Sequence, residues 1–294
     1  MLNKKQATNI EPISNFFPTF RNFNSPELQI QKISTGYPSL DEILGGGLAT
    51  GVHTICAQPG VGKTTFALNI AVNAAKNGTP VIFLSYEMPK MDLITKIYSL
   101  ISSQLSPNNG GFSFDDIRSE HKLTTSENKL YKKTCDFIES NFNDKIYFLD
   151  GVNHQYKINQ IVNEIEAFMQ NSQQAPLVIV DYIQMIAGED SVSLKTNIET
   201  AMSVFHNIAD KYHFPILSIS SIAKHGSDSL NMFSGAESAR IAFGSVTHWG
   251  LTNMTKDDDA LYKTVKLDLF KNRYGKSNTS FNFSFDGEHS RFLK

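Results

Sequence analysis

The sequence predicts an α/β domain with a mostly parallel central sheet, helices on its faces and an antiparallel hairpin at its C-terminal end. Three observations predict it. Short apolar runs bounded by turn residues recur at Gly51 to Ala57, Pro80 to Ser85, Ile146 to Asp150, Leu177 to Asp181 and Pro215 to Ser220, and such runs fit parallel strands buried on both faces. Segments with helical spacing alternate with them. Near the end the period falls to two: Val265, Leu267 and Leu269 alternate with Lys266 and Asp268, and Phe281, Phe283 and Phe285 alternate with polar residues.

Taken in order, residues 1–32 read as an arm. They are polar, with Phe16, Phe17, Phe20 and Phe23 too aromatic for a free tail, so the arm is expected to pack on its own core or on a neighbouring subunit. Residues 33–294 form the main domain. Gly51 to Ala57 reads as a strand, and Lys63 to Ala75 as a helix with Phe66, Ile70 and Ala74 on one face, ended by Asn77-Gly78. Ile158 to Gln170 and Asn197 to Tyr212 read as crossover helices. Between Ser102 and Lys145 the chain is polar and opens on "SPNNGG", a loop followed by helix. Val246 to Leu251 reads as a strand, whose apolar setting favours Trp249 as a core residue over a base-stacking one. The polar "KNRYGKSNT" joins the last two alternating runs as a hairpin.

Composition narrows the class. The chain has 294 residues, 40% of them hydrophobic, enough for one large core, and a net charge of −2 excludes a histone-like basic binder. Cys56 and Cys135 have no metal spacing and read as reduced thiols. No signal-peptide pattern and no apolar run of ~18 residues is present, so a cytoplasmic protein without a membrane partner is expected.

The chemistry sits at strand ends. In "AQPGVGKTT" Gly60 and Gly62 let the backbone curl around an anion, and the following helix adds its positive end. Gln58, Pro59, Gly60, Val61, Gly62, Lys63, Thr64 and Thr65 form a nucleotide-binding loop, with Lys63 on the β/γ-phosphates of ATP and the Thr64 hydroxyl on Mg²⁺. Asp181 closes an apolar strand, the place of a carboxylate that holds Mg²⁺, and Glu87 follows the strand after the loop helix, the place of a base for the attacking water. Asp150 also ends a strand and competes for a supporting role.

At these residues the sequence resembles the motor domain of DnaB-type replicative helicases, within the RecA-like superfamily. The likeness is carried by "ISTGYPSLDEILGGGLATG", "AQPGVGKT", "LSYEM", "VIVDYIQMI" and "LFKNRYGK", over about residues 33 to 294. It implies a RecA-like ATPase in which Glu87 is the catalytic base, Asp181 supports the metal and Gln184 senses the γ-phosphate. Lys271 and Arg273 match a pair that reaches into the neighbouring subunit's nucleotide. The implied assembly is a homo-oligomeric ring, a hexamer, moving on single-stranded DNA, with a replication initiator, loader or primase as partner. DNA contacts are expected from the loops 187–196 and 223–240, with Lys195, Lys224, His225 and Arg240 as phosphate partners.

The sequence also departs from that family. Ser221 stands where the family carries Gln, "KHGSDSLNMFSGAESAR" replaces an arginine-rich stretch, and "SGAESAR" resembles the plasmid RepA-type branch equally well. Relative to that family, the N-terminal helical domain that binds primase is expected to be missing. A second reading therefore stands beside the helicase: a DnaB-like regulatory or DNA-binding ATPase, such as a loader, recombinase-like or defence module, without unwinding activity.

Overall fold

A computed structural model describes residues 11–22, 25, 31–106, 110–120, 122–186, 193–222, 241–257 and 260–293. The chain separates into two compact units, Met1–Gln31 and Lys32–Lys294. In the first, a 3-10 turn over Ile13–Phe16 runs into a short helix α1 (Phe17–Arg21). Its Ile13, Phe17 and Phe20 side chains are exposed. Phe23 and the Phe16 side chain lie outside the described residues.

The second unit is built on one sheet, nine-stranded among the described residues, in the order β3-β2-β4-β5-β1-β6-β7-β8-β9. A short helix α2 (Pro38–Ile43) enters it, started by Pro38. Strand β1 (Gly51–Ala57) leads through the phosphate loop into helix α3 (Lys63–Lys76). Strand β2 (Val81–Ser85) follows, then helix α4 (Lys90–Leu105), a short helix α5 (Phe114–Arg118) and helix α6 (Thr125–Phe142). Two capping boxes explain why the polar stretch after Leu105 is helical: Ser113 with Asp116 starts α5, and Thr124 with Glu127 starts α6. Strand β3 (Ile146–Asp150), helix α7 (Ile158–Asn171), strand β4 (Leu177–Asp181), helix α8 (Leu194–Tyr212) and strand β5 (Pro215–Ser221) complete the crossovers.

Strands β3, β2, β4, β5 and β1 pair in parallel, as does β6 (Thr247–Asn253) with β1. The long β7 (Tyr262–Asn272), β8 (Thr279–Asp286) and β9 (Arg291–Leu293) then continue antiparallel. The mostly parallel sheet and the C-terminal hairpin are as the sequence predicts; β9 is an additional strand.

Apolar side chains fill both faces. Phe66, Ile70 and Ala74 of α3 pack with Phe83, Trp249 and Phe283 on one side, and Phe205 and Ile208 of α8 pack with Ile216 on the other. Trp249 is fully buried, as expected of a core residue. The central strands β1, β4 and β5 end together at Ala57, Asp181 and Ser221, so their C-terminal edges form one platform, where open α/β sheets place their ligands.

Candidate functional site

The phosphate loop leaves β1 at Ala57 and turns on two glycines with positive φ, 81° at Gly60 and 99° at Gly62. That region costs a side chain strain. Beside Gly60 a Cβ would meet no atom within 4 Å, so the space there is open; at Gly62 it would meet the Phe292 and Phe285 rings at 3.2 and 3.3 Å. The loop therefore presents backbone at the open end of α3, next to a tightly packed wall.

Lys63 opens α3 and is buried; its ammonium donates to the carbonyls of Ala57 at 3.2 Å and Gln58 at 3.1 Å. Burial lowers its pKa, and the charges of Glu87 and Asp181 oppose that shift. The two carbonyls are neutral acceptors, so they leave the ammonium's charge unpaired toward an anion.

Thr64 and Asp181 face each other across the α3–β4 gap. The Thr64 hydroxyl donates to Asp181 Oδ2 at 2.6 Å, while Asp181 Oδ1 is fully buried and has no hydrogen-bond partner among the described residues. Burial pushes the Asp181 carboxyl up to about 6, and the nearby Glu87 charge adds to the rise, against the Thr64 hydrogen bond and Lys63. A buried carboxylate with an unmatched oxygen beside a hydroxyl is an oxygen-only donor pair. It fits Mg²⁺, which prefers hard oxygen ligands, and the open glycine loop with Lys63 fits a polyphosphate.

Glu87 lies two residues past β2 and is exposed. Its position follows from two restraints. The Tyr86 N–H donates to the Asp181 carbonyl at 2.7 Å, and the Ser85 hydroxyl closes the turn by accepting from Met88 N at 3.1 Å and donating to its carbonyl at 2.8 Å. Asp150 pairs in register with Ser85 on the side opposite Asp181. Its carboxylate accepts from the Asn153 backbone at 3.1 Å and side chain at 2.8 Å, which holds it below the usual range. Asp150 thus organises its own turn.

Gln184 joins two strand ends. Its amide donates to the Ser220 hydroxyl at 2.8 Å and the Ser221 carbonyl at 3.1 Å, and its oxygen accepts from Ser221 N at 3.4 Å. The next residue, Ile222, donates from its backbone to the Ala57 carbonyl, the same oxygen that receives Lys63. Ser85 and Ser220 were not singled out in the sequence; their signal is a serine at the last or next-to-last position of an apolar strand.

Lys271 and Arg273 part company. The sequence places both in the polar connection of the hairpin, but β7 runs on to Asn272, because β6 pairs with it as far as Thr247. Lys271 is consequently a strand residue, and its ammonium donates to the carbonyls of Ala242 and Phe243 at 2.9 and 2.8 Å. Arg273 lies in the turn with an exposed side chain. Its N–H donates to the Val246 carbonyl, and Val246 N–H donates to Val52 of β1, so the turn is tied to the loop-bearing strand through one residue.

Of the DNA-contact candidates, Lys195 is exposed in the first turn of α8, not in a loop; Ser193 caps that helix by accepting from Thr196 N, starting it earlier than the apolar spacing indicates. Lys224, His225 and Arg240 lie outside the described residues. Among the described residues no cluster of His, Cys, Asp or Glu forms a metal site of three or more groups, and no helix is long and apolar enough to cross a membrane.

With this geometry in hand, similarity to known proteins is specific. The family model described as "DnaB-like helicase C terminal domain" matches residues 32–231, more than half the chain. The chain is 25% identical over 206 residues to a probable replicative DNA helicase of Trieres chinensis, covering 69% of this chain and 42% of that protein. It is 26% identical over 204 residues to the replicative DNA helicase DnaB of Buchnera aphidicola (68% and 41%), and 24% identical over 232 residues to a probable plasmid replicative DNA helicase of Chlamydia trachomatis (78% and 45%). The chain thus spans less than half the length of these relatives. Among solved structures, one described as an isolated ATPase domain superposes with a TM-score of 0.81 at 18% identity, over 97% of this chain and 99% of that one. A DnaB-like replicative helicase described with its primase interactions also gives 0.81 at 18% identity, over 96% of this chain and 68% of that one. At that identity the likeness speaks to the fold.

Proposed function

Because this chain belongs to the family of DnaB-like helicase C-terminal domains, we propose that it is an ATP-driven motor that assembles as a homo-oligomeric ring and moves on single-stranded DNA. The observation that carries the reading is the Thr64–Asp181 pair, with Asp181 buried and one of its oxygens unmatched among the described residues, beside Lys63 and within the field of Glu87. Lys63 and the loop amides of residues 60–65 grip the β- and γ-phosphates. Thr64 and Asp181 would hold the metal. Mg²⁺, when bound there, neutralises charge on the phosphate oxygens. Glu87, exposed at the mouth and restrained by Ser85 and Tyr86, orients the attacking water and takes its proton.

Arg273 supplies the remaining charge. Its side chain is exposed in the turn after β7, and a guanidinium there would serve the nucleotide of the adjacent subunit. Lys271, held on two carbonyls of its own chain, stiffens the base of that turn. Gln184 offers a path from the metal side to the end of β5: it sits three residues after Asp181 and grips Ser220 and Ser221. That contact supports coupling through Gln184 in spite of Ser221, and so favours a motor over the regulatory ATPase. Residues 33–294 act as the motor domain and residues 1–32 as an arm that docks between subunits. An initiator, loader or primase of the replication class is the proposed protein partner, in the cytoplasm.

A strand-displacement assay on a forked duplex tests the reading. Unwinding with ATP and none with a non-hydrolysable analogue supports a helicase. DNA-stimulated hydrolysis without displacement supports the regulatory ATPase.

A further inference from the structure

The C-terminal hairpin, far from the phosphate loop in sequence, is bolted to it. Phe285 of β8 and Phe292 of β9 stack at 4.4 Å with an 18° interplanar angle, and atoms of both rings would lie only 3.2–3.3 Å from a Cβ on Gly62. Phe292 also meets Phe66 of α3 edge-on at 5.0 Å. Beside this wall Asn69, buried in α3, commits its whole amide to the joint. It donates to the Thr65 carbonyl at 2.8 Å and the Ser290 carbonyl at 2.9 Å, and accepts from Phe292 N at 3.1 Å. The β8–β9 turn is itself pinned: Asp286 accepts from the His289 ring at 2.9 Å, Lys96 of α4 reaches Ser290 at 3.3 Å, and Phe114 N of α5 donates to the Glu288 carbonyl at 3.3 Å.

We propose that Phe292 and Asn69 are positioning residues of the nucleotide site, holding the phosphate loop through Gly62 in the curl that aims its amides at phosphate. The inference rests on the proposed ATPase reading for its kinetic consequence, not for its structural one. Gly62 immediately precedes Lys63 and Thr64, so a loop free to relax toward the hairpin would displace the amides and both side chains together. A core contact elsewhere in the same aromatic cluster has no such lever. Phe283 packs against Phe66 at 5.3 Å and is equally buried, yet the rings nearest Gly62 are those of Phe292 and Phe285.

The test compares Phe292→Leu, the milder Phe292→Met and Asn69→Ala with Phe283→Leu as the core control, all in the full chain. Hydrogen exchange without nucleotide is read on peptides covering residues 57–65, and KM for ATP is read against kcat. The Phe292 and Asn69 variants should exchange faster in the loop. They should raise KM by about 10-fold with kcat within about twofold, as loss of uniform binding does. Phe283→Leu should lower the melting temperature and leave both readouts at wild type. A merely structural role would lower the active fraction, and so kcat, at constant KM. Loop exchange unchanged in folded Phe292→Met and Asn69→Ala, or an unchanged KM, overturns the inference. If the wild-type chain binds no ATP, the proposed function fails, and the exchange comparison alone decides whether the hairpin holds the loop.

Discussion

Thr64 and Asp181, 117 positions apart, share a 2.6 Å hydrogen bond that brings the first turn of the loop helix against the end of β4. Among the described residues only one Asp181 oxygen is matched, and burial pushes the carboxyl up to about 6. Its ordinary value is near ~4, so the folded state disfavours the carboxylate. Below about pH 4 both folded and unfolded chains hold the proton and the group costs nothing. Through the window from about 4 to about 6 the unfolded chain ionises first, and above it a penalty on the order of 2–3 kcal/mol is in place.

Asp181→Asn is therefore expected to raise the melting temperature of the metal-free protein at pH 7, with little change near pH 4, and to abolish Mg²⁺-dependent tightening of nucleotide. Calorimetry at the two pH values checks it. Equal melting temperatures at pH 7 would mean that burial does not strain this carboxylate.

Lys63→Ala should abolish nucleotide binding, since the buried ammonium is lost from the loop. Glu87→Gln should keep binding and lose turnover by roughly 100-fold or more, the scale of a missing general base. Asp150→Asn should hydrolyse near the wild-type rate, because that carboxylate serves the Asn153 turn. Steady-state kinetics on the three variants decides; a dead Asp150→Asn beside an active Glu87→Gln would reverse the assignment.

The arm presents Ile13, Phe17 and Phe20 to solvent, at 76%, 49% and 70% exposure. Burying each aromatic on a neighbouring subunit would contribute about 1.5–3 kcal/mol. A chain starting at Ile33 should then show a smaller oligomer fraction by light scattering at equal concentration. Unchanged assembly would remove the arm from the interface.

The parallel core was legible because its strands are buried on both faces and read as uninterrupted apolar runs, each closed by a functional residue or a turn. The loop, Glu87 and Asp181 stood out as candidates because strand ends are where the sequence changes character, whereas Gln184 was singled out only by the family resemblance. Helices α5 and α6 were harder to read: their few apolar positions are spread among polar ones, and their signal lies in the Ser113–Asp116 and Thr124–Glu127 caps. Lys271 was misplaced because a basic strand residue on a half-exposed face looks like turn. Its partners are carbonyls, which leave no mark in a sequence. Phe292 and Asn69 could be read as core residues, but their contact with the phosphate loop depends on β9 folding back, and three residues carry almost no periodicity.

The most direct measurement is a mixing experiment on ATP turnover. Arg273→Ala alone should keep the fold and nucleotide binding and lose roughly 10³-fold in rate, the scale of a missing arginine finger. Glu87→Gln alone is also expected to be inactive. Mixed and shown to co-assemble, the two should regain turnover, because some interfaces then pair an intact Glu87 with an intact Arg273 from the next subunit. Co-assembled mixtures that stay inactive would contradict a nucleotide site completed across subunits.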